Sequence, residues 1–424
     1  MSRAEGQRPE TRIEKSSQWF DILAYPQTPE GFRLNLVDNG PRTIEPRHKR
    51  HFGPIVEQTL REKTGTPGFH NATKINLHPY PPDPKNPAIL PYNATPAQYV
   101  EFYTLSGKTG VPRSLQEQVR SSGVQVVWRT TESDGSHKFV FEVRSENSGL
   151  YPGFGGTIGG GIDGVLGFSG KVLDDRGTLQ DASPQRIIDQ AVQEAQEELG
   201  IGEVIGNMMR QSYDIRDGNL VVMGIGKDKK QNYFDVLCRG LLPLDQKTLQ
   251  RLYEVHKAGG NDKIHDPMPK RLIFMDDTPD VYRKLLSSIV PLTPMTQAPL
   301  LLAGYMSKME EVLAATGSQD EALKQATLWR KETVRLMQQR DGIMDSIARK
   351  ERRKLSKAEW KKVRSAFAHM ALHGFRDNVH ELENAWHGAW TGARKRPRGL
   401  STKLTPEQQG LPKTEKTLDD LLNN

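Results

Sequence analysis

Gln193-Glu194-Ala195-Gln196-Glu197-Glu198-Leu199-Gly200-Ile201 places three carboxylates, Glu194, Glu197 and Glu198, at spacings i, i+3 and i+4. In a helix those spacings fall on one face, where like charges repel and weaken the helix unless a cation offsets them. An oxygen-only donor set suits a hard ion such as Mg2+ or Mn2+, held by a few carboxylates together with waters and substrate phosphates. The opposite stripe, Ile188, Ala191, Val192, Ala195 and Leu199, is apolar. Ser183 and Pro184 supply an N-cap and a proline suited to the first helical position, and Gly200 supplies a stop, so the pattern predicts a helix over Pro184–Leu199. A solvated acidic face closed by a glycine cap has the same appearance.

Working outward, residues 124–130 and 138–143 read as two strands joined by a Ser133-Asp134-Gly135 turn. Residues 219–225 and 232–238 read as a second pair, and residues 271–275 as a further short strand. Between the first pair and the helix lies a glycine-rich segment, Gly153-Phe-Gly-Gly-Thr-Ile-Gly-Gly-Gly-Ile-Asp163, read here as a loop. Its glycines let the main chain approach a metal or phosphate closely.

Glu-Ala-x-Glu-Glu-x-Gly-Ile resembles the second half of the Nudix box, Arg-Glu-apolar-x-Glu-Glu-x-Gly-apolar. Gln193 stands where the box has arginine, and the earlier half of the box is not found at its usual distance, as an insertion between loop and helix would explain. The resemblance implies an α+β chain built on a Nudix-type α/β/α sandwich, with an N-terminal accessory region and a C-terminal helical bundle. It implies metal-dependent hydrolysis of the diphosphate linkage in a nucleoside diphosphate derivative, with Mg2+ or Mn2+ on Glu194, Glu197 and Glu198. Glu197 and Glu198 would then be the principal catalytic carboxylates, with Asp181 and Asp163 as candidates for the base, while Gly159, Gly160 and Gly161 would face metal or substrate. In the family the box arginine helps orient the neighbouring glutamate; Gln193 can hydrogen-bond but brings no charge. A catalytically degenerate module that binds a nucleotide, RNA or a protein is the alternative, and Gln193 favours it.

The 424 residues suffice for two or three domains. The reading divides them into a loop-rich accessory domain (1–120), the Nudix-like domain (121–296), a helical domain (297–392) and a basic tail (393–424). In the first, residues 33–37 and 99–103 read as strands and the proline-rich stretch 81–87 as extended chain. Helical periodicity runs through residues 300–315, 322–347 and 360–390. Hydrophobic residues make up 35% of the chain and mean hydropathy is −0.64, as expected of a polar, soluble chain; with no apolar leader and no apolar run of membrane-spanning length, a cytoplasmic location is expected. The single cysteine, Cys238, excludes internal disulfides and reads as a small core residue.

A net charge of +7 and a pI near 9.2 favour anionic partners. Arg349, Lys350, Arg352, Arg353, Lys354, Lys357, Lys361, Lys362 and Arg364, with Trp360 among them, could track an RNA backbone, and the run from Arg394 to Arg398 could direct nuclear import. His369, His373, His380 and His387 recur at helical spacing but lack the carboxylate arrangement typical of a zinc enzyme. The stretch 164–172 is one residue too long for a Walker A loop, and Val172 replaces its Ser or Thr.

Overall fold

The computed structural model describes residues 20–38, 46–65, 73–105, 110–112, 115–116, 122–143, 155–162, 184–212, 219–229, 234–258, 271–287 and 292–350, the last nine by backbone alone. The chain is α+β. By compactness it divides into two units, residues 1–126, 159–196 and 202–240, and residues 127–158, 197–201 and 241–424. The larger sheet has eight strands in the order β1-β9-β10-β5-β6-β11, with β7 paired to β6 and β8 to β5. Its strands are β1 (Phe20–Ile22), β5 (Gly123–Thr131), β6 (His137–Val143), β7 (Gly155–Gly156), β8 (Ile158–Gly161), β9 (Leu220–Asp228), β10 (Phe234–Leu241) and β11 (Arg271–Asp276).

In the first unit, β9 lies between β1 and β10, antiparallel to both, with Phe20 opposite Asp228 and Asp235 opposite Gly226. Phe32 adds a bridge to Val222, its N–H donating to the Val222 carbonyl at 2.8 Å. Gly31, just before it, has φ +69°, and an added Cβ would lie 2.4 Å from that same carbonyl oxygen, so only glycine fits. A smaller sheet of order β2-β4-β3 joins β2 (Arg33–Asp38), β3 (Thr73–Pro79) and β4 (Ile89–Gln98), with β2 parallel and β3 antiparallel to β4. A closed set of backbone bonds fastens it to the larger sheet: Ile75 N–H to Ile162 O, Ile162 N–H to Ser122 O and Ser122 N–H to Ile75 O, each 2.8–2.9 Å. Helices α1 (Pro46–Lys63) and α2 (Tyr99–Leu105) also belong to this unit.

Two expectations for this region need correction. Residues 99–103 are helical, because Tyr99, Phe102 and Tyr103 stand at i, i+3 and i+4; the rings of Phe102 and Tyr103 each lie 6.2 Å from that of Tyr99, so one helix face outweighs the aromatic preference for strands. The proline-rich stretch is not helical, as expected, but it is not simply extended either. Asp83 and Asn86 close a tight turn, with the Asn86 N–H donating to the Asp83 carbonyl at 2.8 Å.

In the second unit, β5 and β6 form the predicted hairpin, with Gly135 at φ +82° and the Asp134 carboxylate accepting the Ser136 N–H. Across β6, β11 pairs antiparallel, Met275 opposite Phe139. Just beyond β11, the buried Asp277 accepts from Arg129 on β5, from the Tyr282 hydroxyl on α6 (Pro279–Ser287) and from Ser307 on α7 (Pro294–Thr316). One carboxylate thereby ties a strand to two helices. Tyr282 also stacks on Phe139, with ring centroids 4.5 Å apart.

Leu300, Leu301, Leu302 and Ala303 in α7 are all buried, so this short apolar run is helix interior covered on every side. Gly317, at φ +66°, ends α7, and α8 (Gln319–Lys350) turns back against it. Gly304 marks the close approach: an added Cβ would lie 2.4 Å from the Trp329 ring and 2.7 Å from Tyr282. No helix among the described residues is long and apolar enough to cross a membrane.

Candidate functional site

The acidic helix, α3, spans Pro184–Leu199 as the sequence predicts. Ile188, Ala191, Val192, Ala195 and Leu199 are buried, joined by Ile187, and each large apolar side chain so covered contributes roughly 1.5–3 kcal/mol. That stripe fixes the rotation of the helix and leaves Glu194, Glu197 and Glu198 half-buried on its other side. Gly200 ends it at φ +70°, with His256 of α5 (Gln246–Ala258) packed where a Cβ would stand. Gln196 braces α4 (Gly202–Ser212), donating to the Gly202 carbonyl at 3.2 Å and accepting from Arg210 at 2.6 Å.

The glycine-rich segment is not the loop the sequence suggested. Gly155–Gly156 and Ile158–Gly161 are strands paired with β6 and β5. Their glycines are required by crowding at the strand surface: a Cβ on Gly155 would enter the Phe141 ring, and one on Gly156 would lie 2.6 Å from a Glu142 carboxylate oxygen. Gly159 presses on the Val124 carbonyl and Gly160 on Glu194, whose Oε1 would be 2.1 Å from an added Cβ. Gly160, predicted to face metal or substrate, is set against a predicted ligand. Gly160→Ala is therefore expected to push Glu194 aside and weaken Mn2+ binding by about 10–100-fold with the fold retained, as titration of wild type and variant would show.

The donor chemistry fits a hard divalent ion, since the three carboxylates offer oxygen alone. In this structure Glu194 Oε1 accepts from Gln190 Nε2 at 2.8 Å. Among the described residues no three His, Cys, Asp or Glu side chains converge into a ready metal cluster, so ion binding would require the carboxylates of α3 to reorient.

The sequence reading missed a second acidic pair. Asp235 on β10 and Asp228 on β9 are each 1% exposed. Burial, and then the charge of Asp228, push the Asp235 carboxyl up to about 8, against a downward pull from the Gly123 N–H it accepts. A carboxyl that ordinarily ionises near 3.8 thus keeps its proton in the folded chain across the window from about 4 to 8. The folded state then binds the extra proton, so wild-type stability falls as pH rises through that window. Asp235→Asn carries no such linkage, and its stability relative to wild type should rise between pH 5 and pH 8.5 by roughly 1 kcal/mol or more, read by thermal melts at both pH values. No motif announces this pair, because an aspartate inside an apolar strand run has no spacing signature. Cys238, on the same strand, is buried as expected and its thiol is pushed up to about 12 by burial.

Asp163 and Asp181 lie outside the described residues, as do Lys361, Lys362 and Arg364, the four histidines 369, 373, 380 and 387, and the cluster from Arg394 to Arg398. Arg349 and Lys350 fall in the last turn of α8, described by backbone alone.

No protein-family profile matches the sequence, and no curated protein does. Among solved structures, a Nudix hydrolase from Alicyclobacillus acidocaldarius is similar at 14% identity and a TM-score of 0.27, the match covering 46% of this chain and 96% of that one. That score is below the level at which a common fold follows, so the Nudix resemblance rests on the residues of α3.

Proposed function

We propose that this chain is a metal-dependent hydrolase of the Nudix type, cleaving the diphosphate linkage of a nucleoside diphosphate derivative. The observation that carries the reading is the placement of Glu194, Glu197 and Glu198 along one side of the last turns of α3, with the Gly160 main chain against the first of them. Glu194, Glu197 and Glu198 would hold the ion. Mg2+ or Mn2+, when bound there, would neutralise phosphate oxygens and acidify a nearby water. The water oxygen attacks phosphorus in line, the bridging P–O bond breaks, and the proton passes to a carboxylate or to solvent, leaving two phosphate-bearing products. The buried stripe and the Gly200 stop hold the helix that carries the three carboxylates.

Gln193 favours the second reading, a non-catalytic module that binds a nucleotide, RNA or a protein. A substrate panel of nucleotide sugars, ADP-ribose, dinucleoside polyphosphates, NAD(H), nucleoside triphosphates and capped RNA, assayed with Mg2+ and with Mn2+, separates the two. Release of phosphate or nucleotide from one class supports the hydrolase. Binding of nucleotide or metal without turnover supports the module.

A further inference from the structure

We propose that Asp235 is a positioning residue for the acidic site, holding Gly123 and through it the Gly160 main chain at the height where it meets Glu194; this rests on the hydrolase reading. Gly123, the first residue of β5, is crowded. A Cβ there would lie 2.4 Å from Asp235 Oδ1 and 2.7 Å from the Gly160 carbonyl oxygen, so the two oxygens flank the same bare Cα. Gly160 in turn touches the Glu194 carboxylate. Four residues from β10, β5, β8 and α3 thus stand in sequence, with no side chain on the two middle ones.

The rest of this junction is already fixed. The cyclic bonds among Ile75, Ser122 and Ile162 lock the residue before Gly123 and the residue two beyond Gly160, and Ser122 Oγ also accepts the Leu77 N–H at 2.8 Å. The two glycines lie on β5 and β8, which pair with each other, β5 also lying beside β10. The Gly123 N–H donates to the Asp235 carboxyl, which makes Asp235 a side-chain anchor for the start of β5.

The placement is costly, which argues for a use. Every residue from Phe234 to Gly240 is buried, and a carboxyl in such a strand weakens the fold unless its polar atoms are met. Asp235 Oδ2 has no hydrogen-bond partner among the described atoms, so only half of the group is satisfied. A valine or leucine would suit the strand better but would leave the Gly123 N–H unmet. Asp235 stays away from the reacting atoms in this account: its part is to accept one hydrogen bond, and asparagine can accept the same one.

The test measures Mn2+ binding by the full-length protein without substrate, by titration calorimetry and by the loss of free-ion EPR signal, with melts to confirm folding. Wild type and Asp235→Asn should bind with affinities within about threefold of each other, while Asp235→Val should lose about 10–100-fold, the scale of a supporting residue behind a metal ligand. Should Asp235→Val melt below the assay temperature, Gly123→Ala, which would force Asp235 and Gly160 apart from the other side, replaces it with the same expected loss. Wild-type affinity in the disrupting variant overturns the inference, and so does an Asp235→Asn variant as weak as Asp235→Val. Mn2+ binding by wild type that disappears in Glu197→Gln plus Glu198→Gln keeps the underlying reading in place whichever way Asp235 falls; absence of Mn2+ binding in wild type removes both.

Discussion

Replacing Glu197 and Glu198 together by glutamine is expected to lower hydrolytic turnover by at least about a thousandfold, because the change removes the charge that would hold the ion while keeping volume and helix. Both side chains are half-buried on the last turn of α3, opposite the stripe that anchors it, so amides fit where carboxylates stood. Stability should hold or rise, since the substitution relieves repulsion with Glu194 at i+3 and i+4. That combination matters: a variant that loses activity and melts earlier has merely unfolded, whereas one that loses activity and melts later has lost chemistry. Turnover at the wild-type rate would remove α3 from the reaction and place the chemistry on other residues.

The second large effect concerns Arg340, which is 5% exposed on α8. Its guanidinium donates to the Leu286 carbonyl in α6, to Gln297 Oε1 in α7 at 2.8 Å, and through Nε and Nη2 to Asp341 Oδ1 at 3.0 and 2.8 Å. Arg340→Ala would strand the buried Asp341 charge and leave the Leu286 and Gln297 acceptors unmet, so a loss of about 3–5 kcal/mol is expected. Arg340→Lys should recover only part of it, because an ammonium cannot span the same fork of acceptors. The double change Arg340→Ala with Asp341→Ala should cost less than the sum of its parts. Urea midpoints for wild type, Arg340→Ala, Arg340→Lys, Asp341→Ala and the double change test this; a loss under about 1 kcal/mol for Arg340→Ala would mean that water replaces the network.

Much of the fold was legible because its signals are local. Helix α3 has a proline start, a left-handed glycine stop and one apolar stripe, and its observed bounds match the predicted ones. The β5–β6 hairpin has a Ser-Asp-Gly turn whose side chain caps its own backbone. What failed depends on distant neighbours. The segment around Gly155 and Gly160 looks like a loop in sequence, because nothing local reveals that Phe141, Glu142, Gln125 and Glu194 occupy the space where its side chains would stand. Tyr99, Phe102 and Tyr103 favour a strand singly and a helix as a set. The site was half visible: the three helix carboxylates show in their spacing, but Asp235 gains significance only through the sheet order that sets it beside Gly123.

Strand β1 is three residues long, yet it is what stands beside β9 on the side away from β10. With the Phe32 bridge, it occupies backbone groups of β9 that would otherwise be open along a nine-residue strand in which all but Lys227 are buried. A chain trimmed to begin near residue 121 would keep every carboxylate of α3 and lose this cover. Its bare, apolar edge would then be a template for a strand from another molecule, and self-association would be a symptom of the truncation.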